Sequence, residues 1–341
     1  MVYGPTYDTF QQVYLAMLRT VARRHQYETD GRGKKAREII NSSFTITDPV
    51  DRTPYLAARR TNIVFNHAEA LWYLTGRDDV DMIGYYAPRL RDLAIEGRLT
   101  GTAYGPRLFT ATSSDGRSQF DRVVSLLREE PNTKRAAMVI MRPDELTDPT
   151  HPDVACTLGL QFLLRDGTLH ATAYMRGNDA VIGLLCDTFS FTFLQEYTAR
   201  RLGVPVGTYA HHVGSMHINL LDLDRVDAIL TEAAGTATSP RFPVPSMPAT
   251  SHDDLALIMD WEESLRTNTR RLDPVRLDHV PLPLYWQQVL ALFEVYRQIV
   301  HNPDGTVVPD AVAALHPGHR WLVARRWPDR MPATIRAGWP S

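Results

Sequence analysis

Two cysteines in 341 residues leave no disulfide framework on which to build a fold. Cys156 and Cys186 are therefore read as reduced thiols. The chain also lacks an excess of either charge: 37 Lys and Arg stand against 39 Asp and Glu, a formal net charge of −2. Such a balance offers no basic field for a nucleic acid polymer, although local arginine clusters can still hold a small phosphate. No apolar run approaches the ~20 residues that span a bilayer. The first 25 residues lack the basic start and unbroken apolar core of a signal peptide. The expectation is a cytoplasmic protein with no membrane partner.

Several motifs are missing too. There is no GxxxxGK[ST] phosphate loop, no GxSxG elbow and no GxGxxG after a strand. His211, His212 and His217 come without paired cysteines or an HExxH spacing, so no metal is expected.

What is present is an ordinary globular composition, 44% hydrophobic and 22% charged, enough for one sizeable core. Apolar spacing predicts helices over 8–25, 61–75 and 118–130, and again near 253–267 and 284–300. Residues 39–49 read as a strand ending before Pro49, 135–141 as a buried strand, and "TDGRGKKAR" as a loop holding Arg32 and Arg37. The clearest local signal is "CTLGLQFLLRDGTLHATAYMRG", two strand-like runs around Asp166-Gly167, a dipeptide that favours a tight hairpin. A Pro-, Ser- and Thr-rich stretch begins near residue 236. It suggests a catalytic domain over 1–235, followed at 236–341 by a linker and a helical extension packed on that domain.

Two residues carry open questions. Cys156 enters the hairpin and Arg176 leaves it, so a cation-assisted thiolate nucleophile competes with a small buried hydrophobe. Asp187 lies in the apolar stretch "GNDAVIGLLCDTFSF", before a helical pattern that runs to Leu202-Gly203. It reads locally as a helix N-cap, or else as a carboxylate aimed at a ligand.

The ordered set "HAEALWYL", "TAYG", "KR", "C…LQF…YMRG.D…GL…D" and "GSMHIN" resembles the thymidylate synthase family over roughly residues 8–235. The resemblance implies an α+β fold with a large mixed β-sheet covered by helices, paired sheet to sheet in a homodimer. It implies 5,10-methylenetetrahydrofolate as co-substrate and a pyrimidine nucleoside monophosphate as substrate. Cys156 falls on the nucleophile that adds to C6, Glu69 on the acid that relays protons, and Tyr104 on a residue close to the base. Arg176 falls on the phosphate arginine that assists the thiolate, with Arg32 as the loop arginine for the same phosphate. Lys134 and Arg135 fall on a basic pair that reaches the other subunit's phosphate. Gln161 falls on a ligand-orienting polar residue beside the cysteine, and His217 on a sugar contact. Asp179 contacts the folate, with Gly183 in the same folate-binding stretch.

Departures from the family pattern carry information. Thymidylate synthases have Asn at the position of Asp187, whereas the family's deoxycytidylate hydroxymethylases have Asp, so Asp187 points to cytosine. The segment before "YG" holds no Trp, which implies less shielding of the reacting carbon from water, and a hydroxymethyl product. At the sugar and phosphate, Asn219, Gly177 and Lys134 replace the family's usual Tyr, Ser and Arg. They leave room for a ribose 2′-hydroxyl and favour CMP over dCMP, as in the cytidylate hydroxymethylases of nucleoside-antibiotic biosynthesis. Thr157 replaces the usual His after the nucleophile. The expected activity is CMP 5-hydroxymethylation, with dCMP hydroxymethylation or a thymidylate synthase-type methylation as alternatives.

Overall fold

The computed structural model describes residues 4–31, 33–110, 115–148, 150–235 and 240–336. Its centre is a seven-stranded mixed sheet of β1 (Thr6–Tyr7), β2 (Tyr27–Gly31), β3 (Lys34–Ile46), β4 (Ala137–Val139), β5 (Thr157–Arg165), β6 (Thr168–Asp179) and β7 (Val206–Asn219). The order is β1-β3-β7-β6-β5-β4, with β2 paired to β3. β1–β3 and β6–β7 are parallel and the other pairs antiparallel. Helices cover this sheet, which bears out the expected α+β class.

Local chemistry explains the turns. Asp166 and Gly167 both take positive φ, 48° and 72°, as a two-residue hairpin between right-twisted strands requires. The "TDGRGKKAR" segment is not a loop. It is the tip of a second hairpin in which Gly31 pairs with Lys34 and Gly33 takes φ 73°. Both of its strands are largely exposed and polar there, so no apolar alternation marked them. Arg32 lies outside the described residues. Arg37 spends its Nη1 on the Ala22 carbonyl at 2.7 Å.

Between and after the strands come α1 (Phe10–Arg24), α2 (Ile63–Leu74), α3 (Val80–Tyr86), α4 (Gly105–Phe109), α5 (Gln119–Glu129), α6 (Gly183–Leu202) and α7 (Leu223–Ala234). α1 buries Phe10, Val13, Tyr14, Met17, Leu18 and Val21, the stripe its spacing predicts. α6 makes the crossover between parallel β6 and β7 and is buried nearly all round.

α6 also corrects the sequence reading of Asp187. The helix starts at Gly183, so Asp187 is an internal residue and no N-cap. Asp179 closes a turn upstream of the helix: its Oδ1 accepts the amide hydrogens of Val181 and Ile182 at 2.8 and 2.6 Å. Ile182, the residue just before α6, offers no side-chain cap.

The chain divides into two compact units, residues 1–54 with 69–238, and residues 55–68 with 239–341. The second contains α8 (His252–Arg266), α9 (Leu284–His301), α10 (Pro309–Ala313), α11 (Pro317–Arg326) and α12 (Ala333–Arg336). α8 begins with a capping box between Ser251 and Asp254. α9 buries Trp286, Leu290, Phe293 and Glu294, the last paired with Arg297 at 2.6 Å. Among the described residues no helix is long and apolar enough to cross a membrane.

Candidate active site

Within the first unit the middle of α2, the start of β5, the end of β6, the first turns of α6 and the turn before α4 bring five predicted residues together: Glu69, Cys156, Arg176, Asp187 and Tyr104. Cys156 immediately precedes β5, and the Arg176 amide hydrogen bonds to its carbonyl at 2.9 Å, closing the open end of the hairpin. Arg176 Nη2 stands 3.8 Å from Cys156 Sγ. The guanidinium is held by the Ala155 and Val154 carbonyls at 2.8 and 3.3 Å, yet the residue stays exposed. A positioned cation beside sulfur favours the thiolate, and an exposed guanidinium can still meet an incoming phosphate.

Glu69 is buried on α2, 6% exposed. Burial pushes its carboxyl up from 4.5 to about 7, opposed by a Ser190 hydrogen bond, the charge of Arg89 and the Tyr73 hydroxyl. Ser190 Oγ donates to Glu69 Oε2 at 3.0 Å. A carboxyl poised near neutrality suits proton transfer in both directions.

Tyr104 stacks on Tyr73 (ring centroids 5.0 Å apart, planes at 22°) and on Phe191. Gly105 makes this stack reachable: a Cβ there would sit 2.8 Å from the Tyr73 carbonyl oxygen, so only glycine lets the turn approach α2. Burial raises the Tyr104 hydroxyl well above 10, reinforced by the charges of Asp187 and Cys156. Both Tyr104 and Tyr73 thus remain neutral donors.

Asp187 points into the same space. Burial drives its carboxyl well above the usual carboxylate range, and the neighbouring Glu69 adds to the shift. Two carboxyls in one poorly solvated site resist double ionisation. Asn178 Nδ2 donates to Asp187 Oδ2 at 3.1 Å.

Asp179 adds a shared joint. Besides the Val181 and Ile182 amides it accepts Asn219 Nδ2 on Oδ2 at 3.0 Å. Three of a carboxylate's roughly four lone-pair directions are then used, which leaves one for a ligand N–H. Gly183 faces this corner, where a Cβ would come 3.1 Å from Asn178 Oδ1 and 3.6 Å from Asp179 Cβ. His217 pairs in register with Asp179 on β6, and its Nδ1 is buried without a protein partner. Gly177 pairs with Ser215, and a Cβ on Gly177 would meet only the Ser215 carbonyl oxygen, at 3.7 Å. The backbone does not demand glycine there, so its missing side chain is open space.

Other predicted residues lie elsewhere. Gln161 is five residues along β5 from Cys156, about 17 Å at strand spacing, and bonds the Lys134 carbonyl and the Tyr174 hydroxyl. Lys134 and Arg135 are exposed, and Arg135 pairs with Glu130 at 2.6 Å. The three histidines form no cluster: His211 is fully buried, while neighbouring His212 is exposed and stacks on Tyr174. Among the described residues no group of three or more His, Cys, Asp or Glu is placed to hold a metal ion.

Sequence reasoning missed Tyr73, Ser190, Asn178 and Tyr209, and considered His211 only as a metal ligand. The first two had a signal, since Tyr73 is one helical turn from Glu69 and Ser190 one turn from Asp187. Asn178 reaches Asp187 from the end of β6, and His211 and Tyr209 reach Asn178 from β7, an arrangement that leaves no local mark.

Comparison with known proteins agrees with this geometry. The thymidylate synthase family profile matches residues 12–260. A deoxyuridylate hydroxymethyltransferase of Bacillus phage SP01 is 30% identical over 269 residues, 76% of this chain and 67% of that protein. A deoxyuridylate hydroxymethyltransferase of Pseudomonas phage M6 is 29% identical over 199 residues, 58% of this chain and 56% of that protein. A thymidylate synthase of Symbiobacterium thermophilum is 30% identical over 173 residues, 47% of this chain and 60% of that protein. The latter two alignments thus span less than two thirds of the relatives' length. With that match, this chain belongs to the thymidylate synthase family of folate-dependent one-carbon transferases.

Proposed function

We propose that this protein converts CMP to 5-hydroxymethyl-CMP, using 5,10-methylenetetrahydrofolate and water and releasing tetrahydrofolate. The observation that carries the reading is Asp187, a half-buried carboxyl beside Glu69 and Tyr104 where thymidylate synthases place an amide. Cytosine presents a bare N3 next to an N4 amino donor. A protonated carboxyl donates to the first and accepts from the second, which an amide held for uracil's opposite pattern does not.

The residues divide the chemistry in a consistent way. Cys156 adds to C6 of the ring, with Arg176 favouring the thiolate and binding the phosphate. That addition makes C5 nucleophilic. The folate, when bound, supplies a one-carbon unit at the oxidation level of formaldehyde. Glu69, Tyr73 and Ser190 hold and move protons at the base and its exocyclic carbon. Asp179 offers its remaining lone pair to the folate's ring N–H groups, and Gly183 lets that ring approach. Water ends the reaction, so carbon and folate undergo no net redox change. The tryptophan-free segment 84–105 supports a site that admits water. Gly177, Asn219 and Lys134 support a ribose over a deoxyribose.

A homodimer is part of this proposal. One face of the sheet exposes Leu158 (43%) and Tyr174 (39%) around a shallow cavity of about 320 Å³ that His212 also lines. Covering it with a second copy removes that apolar surface and allows Lys134 and Arg135 to reach a neighbour's phosphate.

A second reading deserves a direct assay, because two of the relatives above are named deoxyuridylate hydroxymethyltransferases. A neutral Asp187 can also serve uracil by moving its proton to the other oxygen. Incubating CMP, dCMP and dUMP separately with methylenetetrahydrofolate, followed by mass analysis, separates the readings. The expected product is 5-hydroxymethyl-CMP with tetrahydrofolate. Turnover of dUMP alone overturns the cytosine assignment, and a methylated product with dihydrofolate overturns hydroxymethylation.

A further inference from the structure

Behind Asp187 a line of buried polar side chains runs away from the pocket. The Asn178 Nδ2 that donates to Asp187 Oδ2 lies 3.5 Å from His211 Nε2, and His211 Nδ1 lies 2.7 Å from the Tyr209 hydroxyl. Asn178 is 3% exposed, and His211 and Tyr209 are fully buried. His211 is pinned by stacking on Phe44, centroids 5.1 Å apart and planes at 11°. Packing alone would be served as well by apolar side chains, and buried polar chains are costly unless satisfied. This one is not fully satisfied: Asn178 Oδ1 is buried without a partner. The amide therefore presents its nitrogen to Asp187 at the expense of its own carbonyl.

Burial keeps the His211 ring neutral, so one ring nitrogen donates and the other accepts. Suppose Nδ1–H is given to the Tyr209 oxygen. Nε2 then accepts from Asn178 Nδ2, sharing that hydrogen with Met175 Sδ at 2.8 Å, while the second hydrogen goes to Asp187 Oδ2. Oδ2 is an acceptor, and the proton of a neutral Asp187 sits on Oδ1. Suppose instead that the Tyr209 hydroxyl donates to Nδ1. Nε2 then carries the hydrogen, the amide turns over, and its carbonyl accepts from both Nε2–H and a proton on Asp187 Oδ2. The oxygen left for the base is a donor in the first state and an acceptor in the second.

We propose that Asn178, oriented by His211 and Tyr209, is a positioning residue that sets which oxygen of Asp187 carries the proton, and thereby which pyrimidine edge the site accepts. The proposal rests on the base-reading role of Asp187. A neutral carboxyl fits cytosine as it stands and fits uracil once its proton moves to the other oxygen, so the groups that hold it bear on how strongly the two are told apart. Gly183 belongs to the same arrangement, because a side chain there would press on the Asn178 amide.

The test measures dissociation constants of CMP and UMP by calorimetry for the full-length protein and for Asn178→Ala, Tyr209→Phe and Asp187→Asn. Ribose 5-phosphate, which has no base, is the control ligand. The expected result is a CMP-to-UMP affinity ratio changed by about tenfold in Asn178→Ala, the worth of one discriminating hydrogen bond. A smaller change of the same sign is expected in Tyr209→Phe, with ribose 5-phosphate affinity held within about twofold. Equal losses for both nucleotides, with the ratio unmoved, overturn the proposal and leave Asn178 a packing residue. If Asp187→Asn moves the ratio while the other two variants do not, the proposal falls and the Asp187 reading stands. If Asp187→Asn leaves the ratio unchanged, both fall. Should Asn178→Ala fail to fold, Tyr209→Phe decides, since it removes one hydroxyl and keeps the ring.

Discussion

Arg176 Nη2 stands 3.8 Å from Cys156 Sγ while it also donates to the Val154 carbonyl, and Nε donates to the Ala155 carbonyl. The cation is anchored before any ligand arrives. Arg176→Ala is expected to slow alkylation of Cys156 by iodoacetamide at pH 7, read by mass analysis of the Cys156 peptide, and to weaken nucleotide binding. Cys186, in the same digest, serves as the internal reference. Unchanged Cys156 alkylation would mean that the arginine does not assist the thiolate.

Glu69 makes both activity and stability depend on pH. Its carboxyl titrates at about 7 in the folded chain against 4.5 as the ordinary value. Between those values the unfolded chain has lost the proton and the folded chain keeps it, so the contribution of Glu69 to stability is fully present below about 4.5 and is lost as pH rises through about 7. Glu69→Gln removes that fall. Chemical denaturation at pH 5 and pH 8 should show a smaller difference in the variant than in the wild type. Turnover should drop on the order of 10²–10⁴-fold, and the limb of the pH–rate profile near neutrality should disappear.

Gly177 is expected to act on the sugar and not on the fold. Gly177→Ser places a Cβ that meets only one carbonyl oxygen at ordinary contact distance, so the melting temperature should hardly move. The ratio of kcat/KM for CMP over dCMP should fall several-fold. A fall in stability with an unchanged ratio would show that glycine serves the strand.

Tyr174 tests the assembly. Tyr174→Asp puts a charge in the centre of the exposed sheet face, beside Leu158 and His212. Sedimentation should show a dimer for the wild type and a monomer for the variant, with turnover lost together with the neighbour's basic pair. A monomeric wild type removes the shared phosphate site.

Much of the architecture was legible because its signals are local. The α1 stripe, the Asp166-Gly167 hairpin and the α9 pattern each follow from side-chain periodicity or from a backbone that only certain residues adopt. Motif order sets Cys156, Arg176 and Asp187 in one register along the sequence. Two readings fail for physical reasons. Asp187 reads as a cap because Asp suits any helix start, while α6 begins at Gly183 and carries Asp187 within it. The Gly-rich segment reads as a loop because exposed polar strands carry no alternation. Asn178 and Tyr209 leave no mark in the sequence because their link to Asp187 depends on how β6, α6 and β7 pack, and His211 stands out there only as a rejected metal ligand.

α6 carries Asp187 and Ser190 one turn apart, about 4.5 Å along its axis, and the helix is walled in nearly all round. The group proposed to read the base and the group that hydrogen bonds the proton-transfer acid are therefore mounted on one ruler. Nothing in the pocket has to swing into place for the two to be correctly spaced, so no ordering entropy is spent at that step. The same rigidity narrows what change can achieve: a substitution that tilts α6 shifts recognition and proton transfer together, whereas one at Asp187 alone alters recognition on an undisturbed scaffold.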